Sequence, residues 1–495
     1  MLMPEPDRAI IARRAEVVSG LEALVAPGSV ISDRTGLRVY ETDGLTAYRQ
    51  VPMAVVLPAN TDEVSTVLRF CHDRGIKVVP RGGGTSLSGG ALPLADGIVL
   101  SAAKLNRVLE IDLANQCAVV QPGVTNLAIT DAVSDAGYYY APDPSSQIAC
   151  TIGGNVAENA GGVHCLKYGL TTNNLLGLEF VLITGEVIRI GGKHFDSEAY
   201  DLLGIITGSE GLLCVVTEVT VRLLRKPQAV QAVLAAFPDN TLAGDCVARI
   251  IGAGLIPAGM EMMDGPAIAA AEAFCHAGYP LDAGALLIVE VDGSAQDVLV
   301  GIARVKEIAT ACGATEVRES RSEDERLVFW SGRKNAFPAI GRISPDYYVM
   351  DGTIPRRRLS EMLRLIGELS AQSGLRIANV FHAGDGNLHP MIMYDSAVPG
   401  ELERTEALGA EILKACVRMG GVLTGEHGVG IEKRDLMEAM FDAVDLDHQQ
   451  RLKCAFDADG LLNPGKVFPV LHRCAELGRL HVHHGQVPFP DLPRF

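Results

Sequence analysis

Two histidines, His382 and His389, flank a run of small residues in the segment FHAGDGNLHP (residues 381–390). The run is a poor helix interior, because it contains two glycines and two residues that favour turns. Asp385-Gly386 is a typical two-residue hairpin loop, in which both central residues adopt positive φ. A hairpin closed there places the two histidines opposite each other, with Cβ atoms roughly 5 Å apart. Such a pair could share one metal ion, and the alternative is a polar cross-strand pair without a ligand.

A second segment, TGEHGVG (residues 424–430), places a carboxylate and an imidazole side by side between glycines. Glu426 would complete a two-histidine, one-carboxylate metal site with His382 and His389 and leave coordination positions open. Zinc, manganese and ferrous iron all accept that ligand set. The unperturbed pKa of histidine is about 6.5, so His427 suits a general base near neutral pH; the alternative is a hydrogen-bonding role beside the ligands.

Composition and charge exclude several classes of protein. The chain has 495 residues, which predicts roughly two to four structural units, and 48% of them are hydrophobic. No segment approaches the ~20 apolar residues of a membrane span, and the first residues lack the apolar stretch of a signal peptide. A net charge of −17 argues against nucleic acid but leaves room for a local site for an anionic substrate. The 11 cysteines include no C-x2-C, so the spacing of iron–sulfur clusters and zinc ribbons is absent.

Strand and helix signals divide the chain into regions. Residues 51–226 alternate apolar strand-like runs with capped helices and predict a strand-rich α+β domain, which follows an N-terminal segment of residues 1–50. In this domain MAVVLP, ANTDEVSTVLRFCHDRG and IKVVP (residues 53–80) predict a strand–helix–strand unit, and hairpin turns are expected at residues 114–115 and 184–185. Residues 227–425 contain two strand-then-helix units that resemble an internal duplication of an open-faced sandwich. Residues 426–475 include an extended NPGK motif, and residues 476–495 form a tail with three histidines.

Three loops rich in small residues fall within the first of these domains. PRGGGTSLSGG (residues 80–90) contains five glycines, which allow successive backbone amides to converge on an anion. It is not a G-x-G-x-x-G motif, because Leu87 stands at the third glycine, and it is not a Walker A loop. Similar loops occur at residues 143–162 and 207–219. One such loop could be a surface turn, but three together predict a pyrophosphate-bearing cofactor held by backbone amides.

These motifs resemble a known family. Residues 51–226 resemble the FAD-binding domain of vanillyl-alcohol-oxidase-type (PCMH-type) flavoenzymes through the motifs PRGGGTSLSGG, PDPSS, IGGNVAENAGG and TGSEG. Residues 228–470 resemble the matching oxidase C-terminal domain through the motifs FHAGDGNLHP, GEHGVG and NPGK. Within that family, the chain resembles the catalytic FAD subunits of the glycolate oxidase (glycolate dehydrogenase) group. Two segments carry this resemblance, SGRKNAFPAIGRISPDYYVMDGTIP and VAENAGGVHCLKYGLTTNNLL. The implied fold is α+β, with a two-part PCMH-type FAD-binding domain, a substrate (cap) domain with ferredoxin-like repeats, and a C-terminal helical segment that returns to the flavin.

The resemblance implies which residues line FAD. They lie in the three loops and in the NPGK motif: Arg81, Gly82, Gly83, Gly84, Thr85, Ser86, Leu87, Gly89, Gly90, Pro144, Ser145, Ser146, Ile152, Gly153, Gly154, Asn155, Asn159, Gly161, Gly162, Thr207, Gly208, Glu210, Gly211 and Asn463. Some relatives attach FAD covalently through a histidine in the first glycine loop. Thr85 lies in that neighbourhood and no histidine occurs between residues 73 and 163, so we expect non-covalent FAD.

The resemblance also implies the chemistry, which is the oxidation of a 2-hydroxy acid with flavin as the acceptor of the hydride equivalent. His382, His389 and Glu426 match the metal ligands of the family, and His427 matches its general base. The hydroxyl and one carboxylate oxygen of such a substrate can chelate a metal ion, which lowers the hydroxyl pKa. Arg333 matches the clamp for the substrate carboxylate, since a guanidinium binds a carboxylate bidentately.

Substrate size is predicted from the segment that follows Arg333. Tyr347 and Tyr348 are expected to frame the pocket, and Val349 stands where a relative acting on a dicarboxylic 2-hydroxy acid has a lysine. An apolar residue there favours a small monocarboxylate, so we expect the oxidation of glycolate to glyoxylate. D-Lactate, with pyruvate as the product, is the alternative substrate.

The sequence lacks cluster and haem-attachment motifs, so reduced flavin needs an external electron acceptor. The resemblance implies a complex with a second flavin subunit and an iron–sulfur subunit, in the cytoplasm or peripheral at the cytoplasmic face of the inner membrane, with membrane contact only through partners. The tail LHVHHGQVPFPDLPRF is expected to dock a partner, and the alternative is a solvated tail. Two other functions compete: a non-haem iron oxygenase, in which the glycine loops have no role, and a non-catalytic flavin scaffold subunit, in which the metal ligands have none.

Overall fold

The first of three large sheets forms from short apolar runs near the N-terminus. The computed structural model describes residues 3–194 and 200–469. The sheet has four strands, in the spatial order Val30–Ile31, Ala54–Val56, Gly97–Ser101 and Lys77–Arg81. The last three strands are parallel, which requires a crossover. Helix Thr61–Arg74 provides it: the Asn60 side chain caps its start, and Gly75 ends it with a φ of 64°. The predicted strand–helix–strand unit is confirmed.

The second sheet is antiparallel throughout and has five strands. Their spatial order is Val108–Asp112, Cys117–Val120, Val215–Arg222, Leu175–Val181 and Val187–Gly191. Both predicted hairpins, at residues 114–115 and 184–185, connect neighbouring strands of this sheet. A separate short ribbon pairs Tyr138–Tyr139 with Leu224–Arg225.

The third sheet belongs to the cap and confirms the predicted duplication. Two strand–helix–strand units form its first part, Ala229–Phe237 to Gly259–Asp264 and Ala285–Gly293 to Glu316–Glu319. With these strands numbered one to four along the chain, the spatial order is 4-1-3-2 and all neighbours are antiparallel. That order is the ferredoxin-like arrangement of βαβ repeats. Beyond these four strands the sheet continues through Ile377–His382, Asn387–Leu388 and Gly352–Thr353. A further strand, Pro390–Tyr394, pairs with Ile377–His382 on one side and with Asp346–Val349 on the other.

The histidine hairpin exists, but its predicted register is wrong. His382 pairs with Asn387, not with His389, because residues 383–386 form a four-residue turn. Only Gly386 adopts a left-handed φ, 85°, and the Asp385 side chain accepts a hydrogen bond from the Asn387 amide, which closes the longer turn. The shift amounts to two residues, and side chains alternate with a period of two. Both histidines therefore still lie on one face, with ring centroids 5.1 Å apart.

Helices pack against the sheets, and in the cap they lie on both faces of the sheet. In the described residues the remaining helices of the N-terminal domain are Arg8–Ala12, Arg14–Glu22, Arg34–Arg38, Asn126–Val133, Ile152–Glu158, Cys165–Tyr168 and Leu202–Ile206. Those of the cap and the C-terminal segment are Asn240–Gly252, Gly265–Cys275, Ala295–Ala311, Glu323–Lys334, Ala336–Ile340, Leu359–Ser373, Glu401–Arg418, Met437–Met440 and Ala443–Phe456. Short 3₁₀ turns occur at Ala102–Lys104, Ser134–Ala136, Thr171–Asn174, Arg356–Arg358 and Arg434–Leu436. None of the helices in the described residues is long and apolar enough to cross a membrane.

Both ends of the described chain join the first sheet. Val30–Ile31 of the N-terminal segment pairs with Ala54–Val56, and Val17 and Leu21 pack in the same core as that sheet. Leu462 forms a parallel bridge with Val78, so the C-terminal segment returns to the N-terminal domain as the resemblance implies. The tail predicted to dock a partner, residues 476–495, lies outside the described residues.

A buried lysine stabilises this return. Lys453 donates to the carbonyl oxygens of Leu212, at 2.5 Å, and Leu462, at 3.0 Å, and forms an ion pair with Asp457. Asp457 in turn accepts the backbone amides of Leu461 and Leu462. One ion pair thus connects the last long helix, the N-terminal domain and the returning segment.

We expect Lys453→Met to lower the free energy of unfolding by about 3–5 kcal/mol, because it leaves the Asp457 carboxylate buried without its cation. Chemical denaturation measures the change. Lys414→Met is the matched control, because Lys414 forms an exposed pair with Glu411 one helical turn away and should cost less than about 1 kcal/mol. Equal effects of the two substitutions would contradict the structural role of Lys453.

Candidate active site

The glycine-rich loops line a cavity of about 410 Å³ that also reaches the histidine cluster of the cap. The first loop packs against the segment at residues 149–154 at backbone distance. A Cβ added to Gly82 would lie 2.3 Å from Thr151 Oγ1, and one added to Gly83 would lie 2.6 Å from the Ala149 carbonyl oxygen. Gly84 adopts a φ of 68°, which disfavours other residues. The glycines are therefore required by close approach and by backbone conformation.

Most residues predicted to line the cofactor do line this cavity. They are Arg81, Gly82, Gly83, Gly84, Thr85, Ser86, Leu87, Gly90, Pro144, Ser145, Ser146, Gly153, Gly154, Asn155, Glu210 and Gly211. The other eight are not among its lining residues: Gly89, Ile152, Asn159, Gly161, Gly162, Thr207, Gly208 and Asn463. Three of these eight, Asn159, Thr207 and Gly208, line a neighbouring cavity instead.

Two of the residues outside the lining hold the site together. The Asn463 side-chain amide donates to the carbonyl oxygens of Gly90, at 2.9 Å, and Glu210, at 2.7 Å, and so connects the first and third loops. The Gly161 amide donates to Glu426 Oε2 at 3.2 Å. These contacts support the cavity from behind rather than from its surface.

The predicted metal ligands converge on one atom. Glu426 Oε1 lies 3.1 Å from His382 Nε2 and 3.2 Å from His389 Nε2. Both histidines are 3% exposed, and neither ring nitrogen of His389 has a hydrogen-bond partner among the described residues. Buried imidazole nitrogens without partners are rare, and a metal ion would satisfy Nε2 of His389, the nitrogen that faces Glu426. The donor set fits a divalent metal of the zinc, manganese or ferrous iron type.

Glu261, a strand residue of the cap, connects two predicted site residues. Its Oε1 lies 2.7 Å from His382 Nδ1, and its Oε2 accepts from Arg333 Nε at 2.6 Å. A carboxylate on the second nitrogen of a ligating histidine fixes the ring orientation. Arg333 is 2% exposed and is not among the described residues that line the cavity, although its Nη2 is buried without a hydrogen-bond partner. Its neighbour Lys334, which is exposed, does line the cavity.

The pKa values of this cluster reflect its concentrated charge. Burial lowers the pKa of His382, but the carboxylates of Glu261 and Glu426 outweigh burial and raise it well above its usual value. Burial raises the pKa of Glu426, but the two histidines outweigh burial and hold it well below its usual value. In contrast, burial lowers the pKa of His427 to about 4 against the opposing effect of Asp351. His427 is therefore neutral near pH 7 and can accept a proton.

Asp351 positions the loop that carries Glu426 and His427. Its side chain accepts the backbone amides of Gly425 and His427, at 3.0 and 2.8 Å, and the Thr424 hydroxyl at 2.6 Å. It is fully buried, and its Oδ1 lies 3.4 Å from His389 Nε2. Potential ligand atoms of Asp351, His389, Glu426 and His427 all lie within 4.8 Å of one another. Asp351 is thus a candidate additional ligand as well as a support.

Residues of the glycine loops fix the other side of the same loop. The Ser88 hydroxyl donates to the His427 carbonyl oxygen at 2.8 Å. Glu210 accepts the amides of Val429 and Gly430 at 2.6 and 2.7 Å. His427 stacks on His389, with ring centroids 4.9 Å apart and planes 5° from parallel. The cofactor loops and the histidine cluster therefore form one connected site.

Sequence reasoning missed three residues of this site: Asp351, Glu261 and Lys334. Asp351 ends an apolar run, YYVMD, which is a weak signal for a polar residue pointing inward. Glu261 interrupts the apolar strand GMEMMD in the same way. The pocket-framing prediction for Tyr347 and Tyr348 is not supported by contact, since neither is among the described residues that line the cavity, and neither is Val349. Phe337 lines it and packs against Tyr347, with ring centroids 6.3 Å apart.

The chain matches two family descriptions in its two domains. Residues 52–191 match "FAD binding domain", and residues 226–467 match "FAD linked oxidases, C-terminal domain". The fold and the site define a flavin-dependent oxidoreductase, and the chain belongs to the PCMH-type family of FAD-linked oxidases.

Curated relatives match most or all of the chain. The glycolate oxidase subunit GlcD of Escherichia coli strain K12 is 54% identical over 100% of this chain and 98% of its own length. The protein of the same name from Bacillus subtilis is 39% identical over 92% of this chain and 97% of its own length. A D-lactate dehydrogenase of Archaeoglobus fulgidus is 34% identical over 87% of this chain and 95% of its own length.

Solved structures confirm the fold. The crystal structure of p-cresol methylhydroxylase with bound substrate superposes with a TM-score of 0.79 over 96% of this chain and 99% of that chain, at 17% identity. Alkyldihydroxyacetonephosphate synthase superposes with a TM-score of 0.70 over 94% of this chain and 86% of that chain, at 19% identity. Both confirm the two-part N-terminal domain followed by a cap.

We expect Asp351→Asn to loosen the loop at residues 424–428, because the amides of Gly425 and His427 both donate to Oδ2 of a charged carboxylate, and a neutral amide oxygen in its place is a weaker acceptor. Amide hydrogen exchange should accelerate by about 10- to 100-fold in Gly425 and His427, the equivalent of roughly 1.4–2.8 kcal/mol of lost local stability. Asp346→Asn is the matched control, because Asp346 accepts a single exposed amide from Ser396. Unchanged exchange in the loop would refute the positioning role of Asp351.

Proposed function

We propose that this chain oxidises a small 2-hydroxy acid with FAD, and that the substrate is glycolate, which becomes glyoxylate. One observation carries the proposal: the glycine loops and the cluster of His389, Glu426 and His427 line the same cavity. A cofactor site and a metal-and-base site with a shared cavity suit the transfer of electrons from a bound substrate to flavin. The 54% identity to a protein named a glycolate oxidase subunit supports the choice of glycolate.

FAD, when bound, supplies a two-electron acceptor for the hydrogen on the substrate α-carbon. The chain holds it by backbone amides and small side chains of the glycine loops. Thr85 lies in the neighbourhood where some relatives carry the histidine for covalent attachment, and no histidine occurs between residues 73 and 163. We therefore propose that the cofactor is released intact when the protein is denatured. Glu210 and Ser88 then bring His427 to the cofactor loops through hydrogen bonds.

The side chains of the cap bind the substrate and take its proton. His427 is buried, its Nδ1 has no hydrogen-bond partner among the described residues, and its lowered pKa keeps it neutral at pH 7. It is therefore available to accept the proton of the substrate hydroxyl. Arg333 would bind the substrate carboxylate through Nη2, a buried donor that lacks a partner in the described chain. Glu261 would hold the guanidinium in place meanwhile.

A divalent metal is the second part of the proposal. His382, His389 and Glu426 would hold it, and Glu261 would orient His382 from behind. When bound, the metal would act as a Lewis acid on the substrate oxygens. The three glycine loops in the same cavity separate the proposal from a non-haem iron oxygenase. They bind the cofactor in the proposed enzyme, whereas an oxygenase would leave them without a function.

The electron acceptor is proposed to be a partner protein. The relatives from Escherichia coli and Bacillus subtilis are both named as subunits. We propose that a second flavin subunit and an iron–sulfur subunit accept the electrons, and that the complex works in the cytoplasm or peripherally at the cytoplasmic face of the inner membrane. D-Lactate oxidation is the competing activity, since a relative at 34% identity is named a D-lactate dehydrogenase.

Turnover on both substrates with a dye acceptor tests the function. We expect kcat/KM for glycolate to exceed that for D-lactate by about tenfold or more, the usual effect of one extra methyl group in a fitted pocket. The isolated chain should reduce its flavin on mixing with glycolate yet consume oxygen slowly. A preference for D-lactate would replace the substrate assignment, and no flavin reduction by either acid would refute the function.

Two substitutions separate the metal ligands from the base. His382→Ala should lose the bound metal in elemental analysis and lose turnover, while FAD stays bound through the N-terminal domain. His427→Ala should retain the metal and slow flavin reduction by about 10²-fold or more, the usual scale of lost general base catalysis.

His448→Ala is the control, because this exposed histidine contacts only the backbone of its own helix in the described structure. An EDTA-treated enzyme that stays fully active without bound metal would refute the metal proposal. Wild-type flavin reduction by His427→Ala, followed by stopped flow, would refute the base assignment.

A further inference from the structure

A histidine outside the proposed reaction bridges the two domains. His164 lies in the AGGVHCLKYG segment of the N-terminal domain, and both of its ring nitrogens meet carboxylates. Nδ1 lies 2.7 Å from Asp143 Oδ2, and Nε2 lies 3.1 Å from Glu290 Oε1. Asp143 belongs to the N-terminal domain, whereas Glu290 lies on strand Ala285–Gly293 of the cap. His164 therefore forms a carboxylate–imidazole–carboxylate contact across the interface.

On the first side, the contact reaches the cofactor cavity. Asp143 directly precedes Pro144, Ser145 and Ser146, which line that cavity. The Asp143 side chain is held twice, since its Oδ1 also accepts the His164 backbone amide at 3.2 Å. A Cβ added to Gly162 would lie 2.4 Å from the Asp143 carbonyl carbon, so the two segments pack at backbone distance. Displacement of His164 would move the Pro144–Ser146 loop with it.

On the second side, the contact reaches the helix that carries Arg333 and Lys334. Glu290 Oε2 accepts from Arg326 Nη1 and from Trp330 Nε1, both at 2.6 Å. Both donors lie on helix Glu323–Lys334, whose last residue lines the cavity. Glu290 is buried, so these hydrogen bonds are protected from water. The position of the helix therefore depends on the orientation of Glu290.

We propose that His164 is a positioning residue: it fixes the substrate-binding end of helix Glu323–Lys334 relative to the cofactor loop at Pro144–Ser146. The substrate measurements rest on the proposed function, whereas the link itself is a property of the fold. His164 touches neither the cavity nor the predicted metal ligands, and so it acts on the reaction through Asp143 and Glu290.

Charge explains why a histidine serves here. Burial lowers the pKa of His164, but Asp143 and Glu290 outweigh burial and raise it well above its usual value. Burial raises the pKa of Glu290, but His164 and Arg326 outweigh burial and lower it to about 2. The packed elements also carry the ion pairs of Lys167 with Asp292, Arg326 with Glu323 and Arg333 with Glu261. The remaining charged residues of helix Glu323–Lys334 are Asp324, Glu325 and Lys334. His164 is thus a cation between two anions at neutral pH.

The sign of the pH dependence follows from the raised pKa. A histidine whose pKa is higher in the folded protein stabilises the contact fully below its unfolded pKa of about 6.5. The stabilisation is lost as the pH rises through the higher folded value. The link should therefore be intact in neutral solution and weaken on the alkaline side.

His164→Gln in the full-length holoenzyme tests the proposal, because glutamine keeps a hydrogen bond but removes the charge. We expect amide hydrogen exchange to increase in helix Glu323–Lys334 and in residues 143–149, with little change elsewhere. KM for glycolate should rise about tenfold with a smaller change in kcat, since misplacement of a binding element lowers substrate affinity. The alkaline rise in KM of the wild type should be missing in the variant.

His72→Gln is the matched control, because His72 also lies near two carboxylates, Asp73 and Asp459, but on the surface. His164→Lys, which restores a cation, should recover part of the KM change and the low exchange. Unchanged exchange in both segments would overturn the proposal whatever the substrate. Faster exchange with an unchanged KM would show that His164 is only a structural contact, and this result would also overturn its positioning role. If the wild-type enzyme did not turn over glycolate, only the proposed function would be refuted.

Discussion

The site depends on two buried carboxylates that hold one glycine-rich loop. The loop at residues 424–430 is neither helix nor strand, so its backbone amides need partners from elsewhere. Asp351 of the cap accepts amides at its start, and Glu210 of the N-terminal domain accepts amides at its end. The loop therefore takes its conformation only when both domains are in contact. Glu426 and His427 lie between these two anchors, and their positions depend on the interface.

The two anchors differ in charge. Burial raises the pKa of Asp351, but His427, Lys433 and His389 outweigh burial and hold it well below its usual value. For Glu210 burial dominates and raises the pKa, although the amides of Val429 and Gly430 oppose it. Asp351 is thus firmly anionic beside the predicted metal ligands, where its negative charge would favour a cation. Glu210 faces the glycine loops, and its raised pKa makes its negative charge easier to neutralise than that of Asp351.

Local signals in the sequence account for most of the fold and part of the site. The strand–helix–strand unit at residues 53–81 could be predicted because apolar runs, the Asn60 cap and Gly75 all act within a few residues. The face shared by His382 and His389 was also predicted correctly, because the two-residue error in register preserves side-chain alternation. The register of the hairpin was predicted incorrectly, because the Asp385 side chain stabilises a longer turn than the Asp-Gly pair suggests.

The residues that sequence reasoning missed act over long separations. Glu261 meets His382 across 121 positions, and Asp351 meets His427 across 76. A lone acid inside an apolar strand can be read as a surface residue or as an edge residue until the opposing strand is known. The cap sheet shows that Glu261 faces the site, because it places Glu261 directly opposite His382 in adjacent strands. Such pairings depend on topology, which local periodicity does not determine.

Glu261 also connects the two halves of the proposed chemistry. One oxygen faces His382 and the other accepts from Arg333, so a single carboxylate orients a metal ligand and a substrate-binding guanidinium. Because Arg333 Nε is occupied by Glu261, the donors left for a substrate are on its terminal nitrogens, and Nη2 is buried without a partner in the described chain. A displaced Glu261 would disturb both groups at once, so their contributions to binding should be strongly non-additive. Under the proposed function, Arg333 would have to reach a substrate through Nη2, because the guanidinium itself is not among the described groups that line the cavity.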